Sequence, residues 1–397
     1  MVNILIVGGG IGGLAAAIGI ARNGHRATVL ERRDTFAELG AGIQLAPNAF
    51  RALDHLGVGD AVRDRAVHID ALRLMDGTTG ECVATMQLTG PYRERFGNPY
   101  VVVHRNDLYE PLLEACRAAP GVALRADSPV VSYEQDDTGV TAVLGTGERV
   151  RGAALIGADG IRSVVRRQLV GDGEPRVSGH TIYRSVIPME QVPGQLRWNT
   201  VTLWAGPLWH FVHYPIGHGS YLNLAAVRDD GAREVVTGVP AERAHVLGEF
   251  PDLGDTAQQL LELGEDWRRW VLCDRDPVNR WTDGRVTLLG DAAHPMLQYA
   301  AQGACMALED AVFLGELLHE CGGDEVPGRL ETYAGGRRDR TARAQLVSRE
   351  MGTQLYHPAG EEAVRRNTML ASLSQEDLRA KVAWLHGAGG TGHSLGG

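Results

Sequence analysis

The stretch Val286-Thr287-Leu288-Leu289-Gly290-Asp291-Ala292-Ala293-His294-Pro295 decides how the rest of this chain is read. Arg285 to Leu289 is apolar and partly β-branched, follows the turn residues Thr282-Asp283-Gly284, and predicts a short buried strand. The strand ends in Gly290-Asp291, which sets a carboxylate at its carboxyl end. Small residues and Pro295 follow. Gln302-Gly303 then opens a helical run, Ala304 to Cys321, in which Leu308, Val312 and Leu318 recur near helical spacing. The acid can accept hydrogen bonds from hydroxyls. The helix start offers free N–H groups and the positive end of its dipole. Together they make a seat for a polar, electron-rich group.

The same arrangement occurs at the start of the chain. Asn3 to Val7 is a compact strand-type run, Leu14 to Arg22 is helix-like and stopped by Asn23-Gly24, and Arg26 to Leu30 is a second strand ending in Glu31. Between the first strand and the helix lies Gly8-Gly9-Gly10-Ile11-Gly12-Gly13. Gly8, Gly10 and Gly13 keep the dinucleotide-binding spacing in its required strand–turn–helix context, and Glu31 lies 18 residues past Gly13. Such glycines let the backbone turn and approach a pyrophosphate, which the helix start binds. The acid accepts the adenosine ribose hydroxyls. Glu31 disfavours a 2′-phosphate, although Arg32 and Arg33 follow it. The fingerprint by itself does not separate NAD from FAD.

Composition narrows the rest. The 397 residues suit two domains or one elaborated one, and 44% hydrophobic with 22% charged content is ordinary for a soluble globular chain. A net charge of −10 argues against binding a phosphate backbone. The five cysteines, Cys82, Cys116, Cys273, Cys305 and Cys321, form no CxxC pair, so neither a disulfide framework nor a metal site is expected and a cytoplasmic setting is. The apolar stretch Val2 to Ala21 lacks a basic flank and is broken by glycines. It reads as strand, turn and helix rather than a signal peptide, and no other segment reaches membrane-spanning length.

Further elements follow in order. Gly40-Ala41-Gly42-Ile43-Gln44-Leu45 reads equally as a connection or as a loop passing close to a ligand, ahead of a helix from Ala49 to Leu56. Val101 to Arg105 is strand-like and Asp107 to Ala118 helical, with Arg105 at the junction. Val122 to Arg125, Val130 to Gln135 and Val140 to Leu144 read as antiparallel neighbours. Ala154 to Gly160 is another buried strand tipped by an acid and a glycine, Asp159-Gly160, with a helix over Ile161 to Arg166. Thr181 to Pro188, Thr200 to Trp204, Leu208 to Pro215 and Tyr221 to Arg228 are strand-like, with Gly217-His218-Gly219 as a hairpin turn between the last two. Pro240 to Trp270 reads as helical. A nucleotide domain interrupted by a sheet-rich domain fits this order of elements.

Period two along Leu208 to Tyr214 puts His210, Val212 and Tyr214 on one face and Trp209, Phe211 and His213 on the other. If the first face lines a pocket, it presents a titratable base beside a phenol donor. His is the side chain poised to take up a proton near neutral pH. A histidine on a half-buried strand is more often a satisfied core residue. Gln298, just past Pro295, can hydrogen-bond a substrate from the opposite side.

The trio of Gly8-x-Gly10-x-x-Gly13, Asp159-Gly160 and Gly290-Asp291 resembles the class A flavoprotein aromatic hydroxylases, which share the p-hydroxybenzoate hydroxylase fold. The similarity runs from Asn3 to about Tyr356 and is strongest to the group's 3-hydroxybenzoate 6-hydroxylases, then to its salicylate 1-hydroxylases. His-Phe-x-x-Tyr-Pro, at His210 to Pro215, and His-Pro-x-Leu-Gln-Tyr, at His294 to Tyr299, carry that narrower likeness. The resemblance implies an α/β architecture: a Rossmann-like FAD domain (1–72, 99–178 and 277–340), an interrupting sheet-rich substrate domain (73–98 and 179–276) and C-terminal helices (341–386), while the Gly-rich composition of residues 387–397 predicts a disordered tail.

The resemblance also implies roles. Gly8, Gly10, Gly13, Glu31 and the adjacent Arg32 hold the ADP half of FAD. Arg105 contacts FAD, Asp159-Gly160 serves both FAD and the nicotinamide nucleotide, and Asp291 holds the ribityl hydroxyls. Pro295 and the helix after Gly303 border the flavin ring, where many relatives are richer in glycine. His210 is the base that ionises the phenol, and Tyr214 and Gln298 hold the substrate. NADH or NADPH acts as transient co-substrate, dioxygen is activated as a flavin hydroperoxide, and 3-hydroxybenzoate becomes gentisate. A decarboxylating salicylate or 6-hydroxynicotinate hydroxylase and a non-catalytic FAD-fold binding protein stay open as alternatives. A homodimer is also implied, with the helices after Thr341 as a contact.

Overall fold

Asn3–Val7, Arg26–Leu30 and Ala154–Gly157 are short apolar runs that bury both faces, and they pair in parallel at the centre of a six-stranded sheet. The computed structural model describes residues 1–37 and 42–387. The strand order is Thr282–Asp283, Val286–Leu288, Ala154–Gly157, Asn3–Val7, Arg26–Leu30, Val122–Arg125. Only Thr282–Asp283, the hairpin partner of Val286–Leu288, runs antiparallel. Because the other strands share one direction, their carboxyl ends open on a single edge. The Gly8 turn, Glu31, Asp159 and Asp291 all stand on that edge, where open α/β sheets bind their ligands.

The second sheet has eight strands in the order Val239–Pro240, Arg268–Asp274, Arg176–Pro188, Tyr221–Asp229, Trp209–Ile216, Thr200–Gly206, Ala71–Asp76, Cys82–Gln87. One face buries Trp204, Trp209, Phe211, Leu222 and Leu224 against Val246, Phe250, Leu260 and Leu261. The opposite face carries Ile182, Leu203, Ala205, Ala225 and Val227, which meet Leu297, Tyr299 and Tyr356. The alternation predicted for the His210 strand therefore holds, and its His210 face looks toward the loop that follows Pro295.

Several sequence expectations are corrected. Pro240 to Trp270 is not one helical stretch: it folds as two short helices, Arg243–Gly248 and Asp255–Glu262, and then enters the strand Arg268–Asp274. Pairing with Arg176–Pro188 overrides local propensity there. Val122–Arg125 is not an antiparallel neighbour of the next two strands, because it closes the parallel sheet beside Arg26–Leu30. Val130–Asp136 and Gly139–Leu144 instead form a separate antiparallel sheet with Arg149–Gly152. Gly42–Leu45 is a strand paired with Val101–His104, while Gly40 and Ala41 lie outside the described residues. Arg105 opens the helix Arg105–Ala118 rather than ending a strand. The helix after Asp159 begins at Val164. The helix Val326–Glu350 runs unbroken through residue 341, and the tail from residue 388 lies outside the described residues.

Candidate functional site

Three glycines at the first strand end meet three different demands. Gly8 has φ +106°, and a Cβ there would stand 2.5 Å from the Ala158 carbonyl oxygen on the neighbouring strand end. A Cβ on Gly13 would lie 1.9 Å from the Gly8 carbonyl oxygen, so the helix Ile11–Arg22 rests directly on the strand end. A Cβ on Gly10 would meet nothing within 4 Å. Gly10 is the N-cap of that helix and no side chain caps it, so the helix start faces open space with its N–H groups unspent. Glu31 Oε2 accepts from Gly9 N at 2.7 Å, and Oε1 from Arg33 N at 3.0 Å, fixing the acid beside the turn. Arg32 is exposed at the same edge.

The two aspartates differ. Asp159 turns inward: Oδ1 accepts from Ser163 Oγ at 2.5 Å, and Oδ2 accepts from Val164 N at 2.7 Å. It locks the start of the helix Val164–Leu169, and burial pushes its carboxyl up. Gly160 next to it has φ +78° and open space around it. Asp291 is exposed, its carboxylate has no hydrogen-bond partner among the described residues, and a Cβ on Gly303 would lie 3.8 Å from Oδ1. Asp291 thus stands free beside the uncapped start of the helix Gly303–Leu317. Pro295 is buried, and its carbonyl accepts from Gln345 Nε2 at 3.1 Å. This donor and acceptor set, strung along one sheet edge, fits the pyrophosphate and hydroxyls of FAD.

The loop between Asp291 and Pro295 is held from below. His294 Nε2 meets Asp310 Oδ2 at 2.6 Å, and Gly290 N donates to the same oxygen at 3.1 Å. Arg337 Nε donates to Asp310 Oδ1 at 2.6 Å, and Glu309 accepts from Arg337, Arg340 and Asn48. Burial opposes ionisation here, yet Arg337 with His294 holds Asp310 down to about 2, and Arg337 with Arg340 holds Glu309 there too. His294 is therefore a fully buried bracket for the loop.

The register of the eight-stranded sheet defines the second half of the site. One rung runs Arg184, Ala225, Val212, Leu203, Leu74, all on the His210 face. The next rung runs Ile182, Val227, His210, Ala205 and is sealed to 1% exposure or less. On the other side, Asn223 and Tyr214 pair, with Tyr214 at 5%. Between these two rungs, Arg184, Val212 and Leu74 are only partly buried, so the middle rung opens to solvent between His210 and Tyr214. Gln298 reaches it from the loop after Pro295, accepting from Arg184 Nη2 at 2.5 Å. The site therefore brings His210, Tyr214 and Gln298 around one floor, and burial, with a smaller contribution from Arg105, lowers the pKa of Arg184 there.

His210 Nδ1 is bonded to His357 Nε2 at 2.8 Å, with the rings stacked 5.0 Å apart, leaving His210 Nε2 without a partner among the described residues. Burial, reinforced by His357 and His180, holds His210 neutral with a pKa well below the usual range. Burial likewise pushes the Tyr214 phenol up to about 12, so it stays a neutral donor. Gly42 is needed beside it: a Cβ there would stand 2.5 Å from Tyr214 Cε2. Sequence reasoning missed Arg184 and His357 as parts of this site, and left Gly42 open between a connection and a ligand-side loop. For Arg184 a signal existed, since it stands between Ile182 and Val186 on one face of its strand, a charge between two apolar neighbours.

A family described as "FAD binding domain" matches residues 1–188 and 255–349. The chain is 49% identical to "3-hydroxybenzoate 6-hydroxylase 1" of Aquipseudomonas alcaligenes, over 97% of each protein. It is 43% identical to the 3-hydroxybenzoate 6-hydroxylase of Polaromonas naphthalenivorans, over 97% of this chain and 95% of that one. Among solved structures, a salicylate hydroxylase substrate complex superposes with a TM-score of 0.83 at 26% identity, covering 97% of this chain and 95% of that chain.

Proposed function

We infer, from the premise that this chain belongs to the FAD binding domain family, that it is a flavin-dependent aromatic monooxygenase and that its reaction is 3-hydroxybenzoate to gentisate. The observation that carries the reading is the open middle rung, flanked by His210 and Tyr214 and met by Gln298 from the loop that Asp291 opens. The full-length identity to 3-hydroxybenzoate 6-hydroxylases supports the choice of substrate.

When bound, FAD supplies the redox chemistry, taking electrons from NADH or NADPH and passing one atom of dioxygen to the ring while the other leaves as water. The protein's part is position, dryness and charge. Gly10, Glu31 and the uncapped helix start take the ADP half, and Asp291 with the start of Gly303–Leu317 takes the hydroxylated half. The phenolic substrate lies on Val212, Leu203 and Ala225. His210 Nε2 removes the phenolic proton, and the imidazolium formed sits beside the phenolate it created, which offsets the burial that keeps the free histidine neutral. His357 fixes the ring so that Nε2 is the nitrogen presented. Tyr214 and Gln298 donate to the substrate's polar groups.

Two further features belong to the same reading. All five cysteines are unpaired, which suits a reducing cytoplasm, and no helix among the described residues is long and apolar enough to cross a membrane. Val364 and Met369 lie exposed at 65% and 46% on the helix Gly360–Ala371, which supports a homodimer contact after Thr341.

The test is NAD(P)H consumption by the FAD-loaded protein across the monohydroxybenzoates, with product identification. Gentisate from 3-hydroxybenzoate is the expected result. Carbon dioxide release from salicylate without gentisate formation would move the assignment to a decarboxylating hydroxylase. His210→Ala is expected to cut hydroxylation by about a hundredfold or more while FAD content stays at the parent level. Equal loss of both would make His210 a packing residue.

A further inference from the structure

We propose that Arg184 is the residue that selects for a carboxylate on the aromatic substrate. The proposal rests on the hydroxylase reading and names the part of the substrate that the site recognises.

Arg184 sits on the middle rung, on the same face as His210 and Tyr214 and one step along the sheet from each. Its hydrogen-bond partner is the neutral amide of Gln298. Its guanidinium also lies 5.9 Å from the centre of the Trp270 ring. Among the described residues no carboxylate comes within ion-pair distance of it.

The buried arginines of this chain show what satisfaction looks like. Arg166 and Arg275 both pair with Asp172, and Arg337 pairs with Glu309 and Asp310. Arg285 donates to the carbonyls of Asp137, Ala153 and Gly323, and Arg366 to Asn367 and the Leu355 carbonyl. Arg184 has one amide oxygen and, among the described residues, no carboxylate. A ring lying over this half-buried rung displaces the water around the Arg184 guanidinium, which is costly without a counter-ion, and a substrate carboxylate supplies that counter-ion. The planar fork also matches a carboxylate in two parallel hydrogen bonds, which a neutral amide or alcohol group does not reproduce.

The placement orients the ring as well. With its carboxylate on Arg184 and Gln298, an aromatic acid lies over Ala225 and Val212 and turns toward the rung of His210, about 7 Å further along the strand direction. A hydroxyl meta to the carboxylate then falls on the His210 side. Selection for the acid and presentation of the phenol become one geometric event.

The experiment compares FAD-loaded parent, Arg184→Lys and Arg184→Met with three ligands: 3-hydroxybenzoate, 3-hydroxybenzamide and 3-hydroxybenzyl alcohol. Binding is read from the change in flavin absorbance on titration, and turnover from NAD(P)H consumption. FAD content and circular dichroism establish that each variant is folded. Arg184→Met is expected to raise Kd and KM for the acid about ten- to hundredfold, the range of a lost charge-assisted pair. Its Kd for the amide and the alcohol should stay within about threefold, and kcat at saturating acid should change far less than KM. Arg184→Lys should fall between the two. Equal weakening of all three ligands would show a packing role and overturn the assignment. So would unchanged binding of the acid in a parent that hydroxylates it, and the hydroxylase reading would survive. A parent that binds none of the three overturns both.

Discussion

Gly10 and Gly13 stand three residues apart in one turn, yet their side-chain positions face opposite worlds. At Gly13 a methyl group would collide with the Gly8 backbone at 1.9 Å, and at Gly10 it would touch nothing. Gly13→Ala is therefore expected to destabilise the apoprotein by about 3 kcal/mol, the upper range for overpacking a rigid contact. Gly10→Ala should leave the urea midpoint of the apoprotein within error while weakening FAD binding, measured by fluorescence quenching of free flavin. Loss of apoprotein stability in both variants would contradict the division. The spacing of these glycines was legible in the chain, because a turn that feeds a helix imposes it. Which glycine serves packing and which serves a ligand was not, since that depends on where Ala158 and Gly8 come to lie.

At the scale of elements, the acid-tipped strand Val286–Leu288 and the helix Gly303–Leu317 are joined through Asp310. Asp310 holds the Gly290 amide, the His294 ring and Arg337 at once, with 0% exposure. Asp310→Asn keeps the shape but removes the charge that Arg337 and His294 face. Breaking a buried ion pair from one side costs about 3–5 kcal/mol. That loss should appear in chemical denaturation, together with weaker FAD retention on gel filtration, because the loop carrying Asp291 loses its bracket. Unchanged stability would mean that Glu309 alone satisfies Arg337. The strand and its acid could be read from the sequence. The bracket could not, because Asp310 lies 16 residues from His294 and 27 from Arg337, with nothing local to connect them.

Across the whole molecule, buried histidines set the response to acid. Burial pulls His213, His357 and His386 down to about 3, and His210 well below its ordinary value. In the unfolded chain the same groups titrate at about 6.5. Between those values the unfolded state binds more protons, so stability is complete above about pH 6.5 and falls as the pH drops. Each group contributes about 1.4 kcal/mol per pH unit, so the first three together contribute about 4 kcal/mol per unit. Against a typical stability of about 5–15 kcal/mol, unfolding is expected before about pH 4. Glu309 and Asp310, held at about 2, add their own loss only below their ordinary carboxylate range. A urea midpoint that stays flat from pH 7 to pH 5 would contradict this account.

The chain by itself determined the parallel sheet, the acid at each strand tip and the face shared by His210 and Tyr214. Each follows from short-range causes: side-chain period, glycine turns and the run of apolar residues that must be buried. Only the tertiary structure decided that Pro240 to Trp270 yields a strand, that Asp159 turns inward while Asp291 stays free, and that His357 and Arg184 join the site. Those outcomes depend on register between strands far apart in sequence and on which charges are left without a partner once the core has closed. No local pattern encodes either, because a hydrogen bond across 147 residues, such as His210 to His357, exists only after the intervening chain has folded.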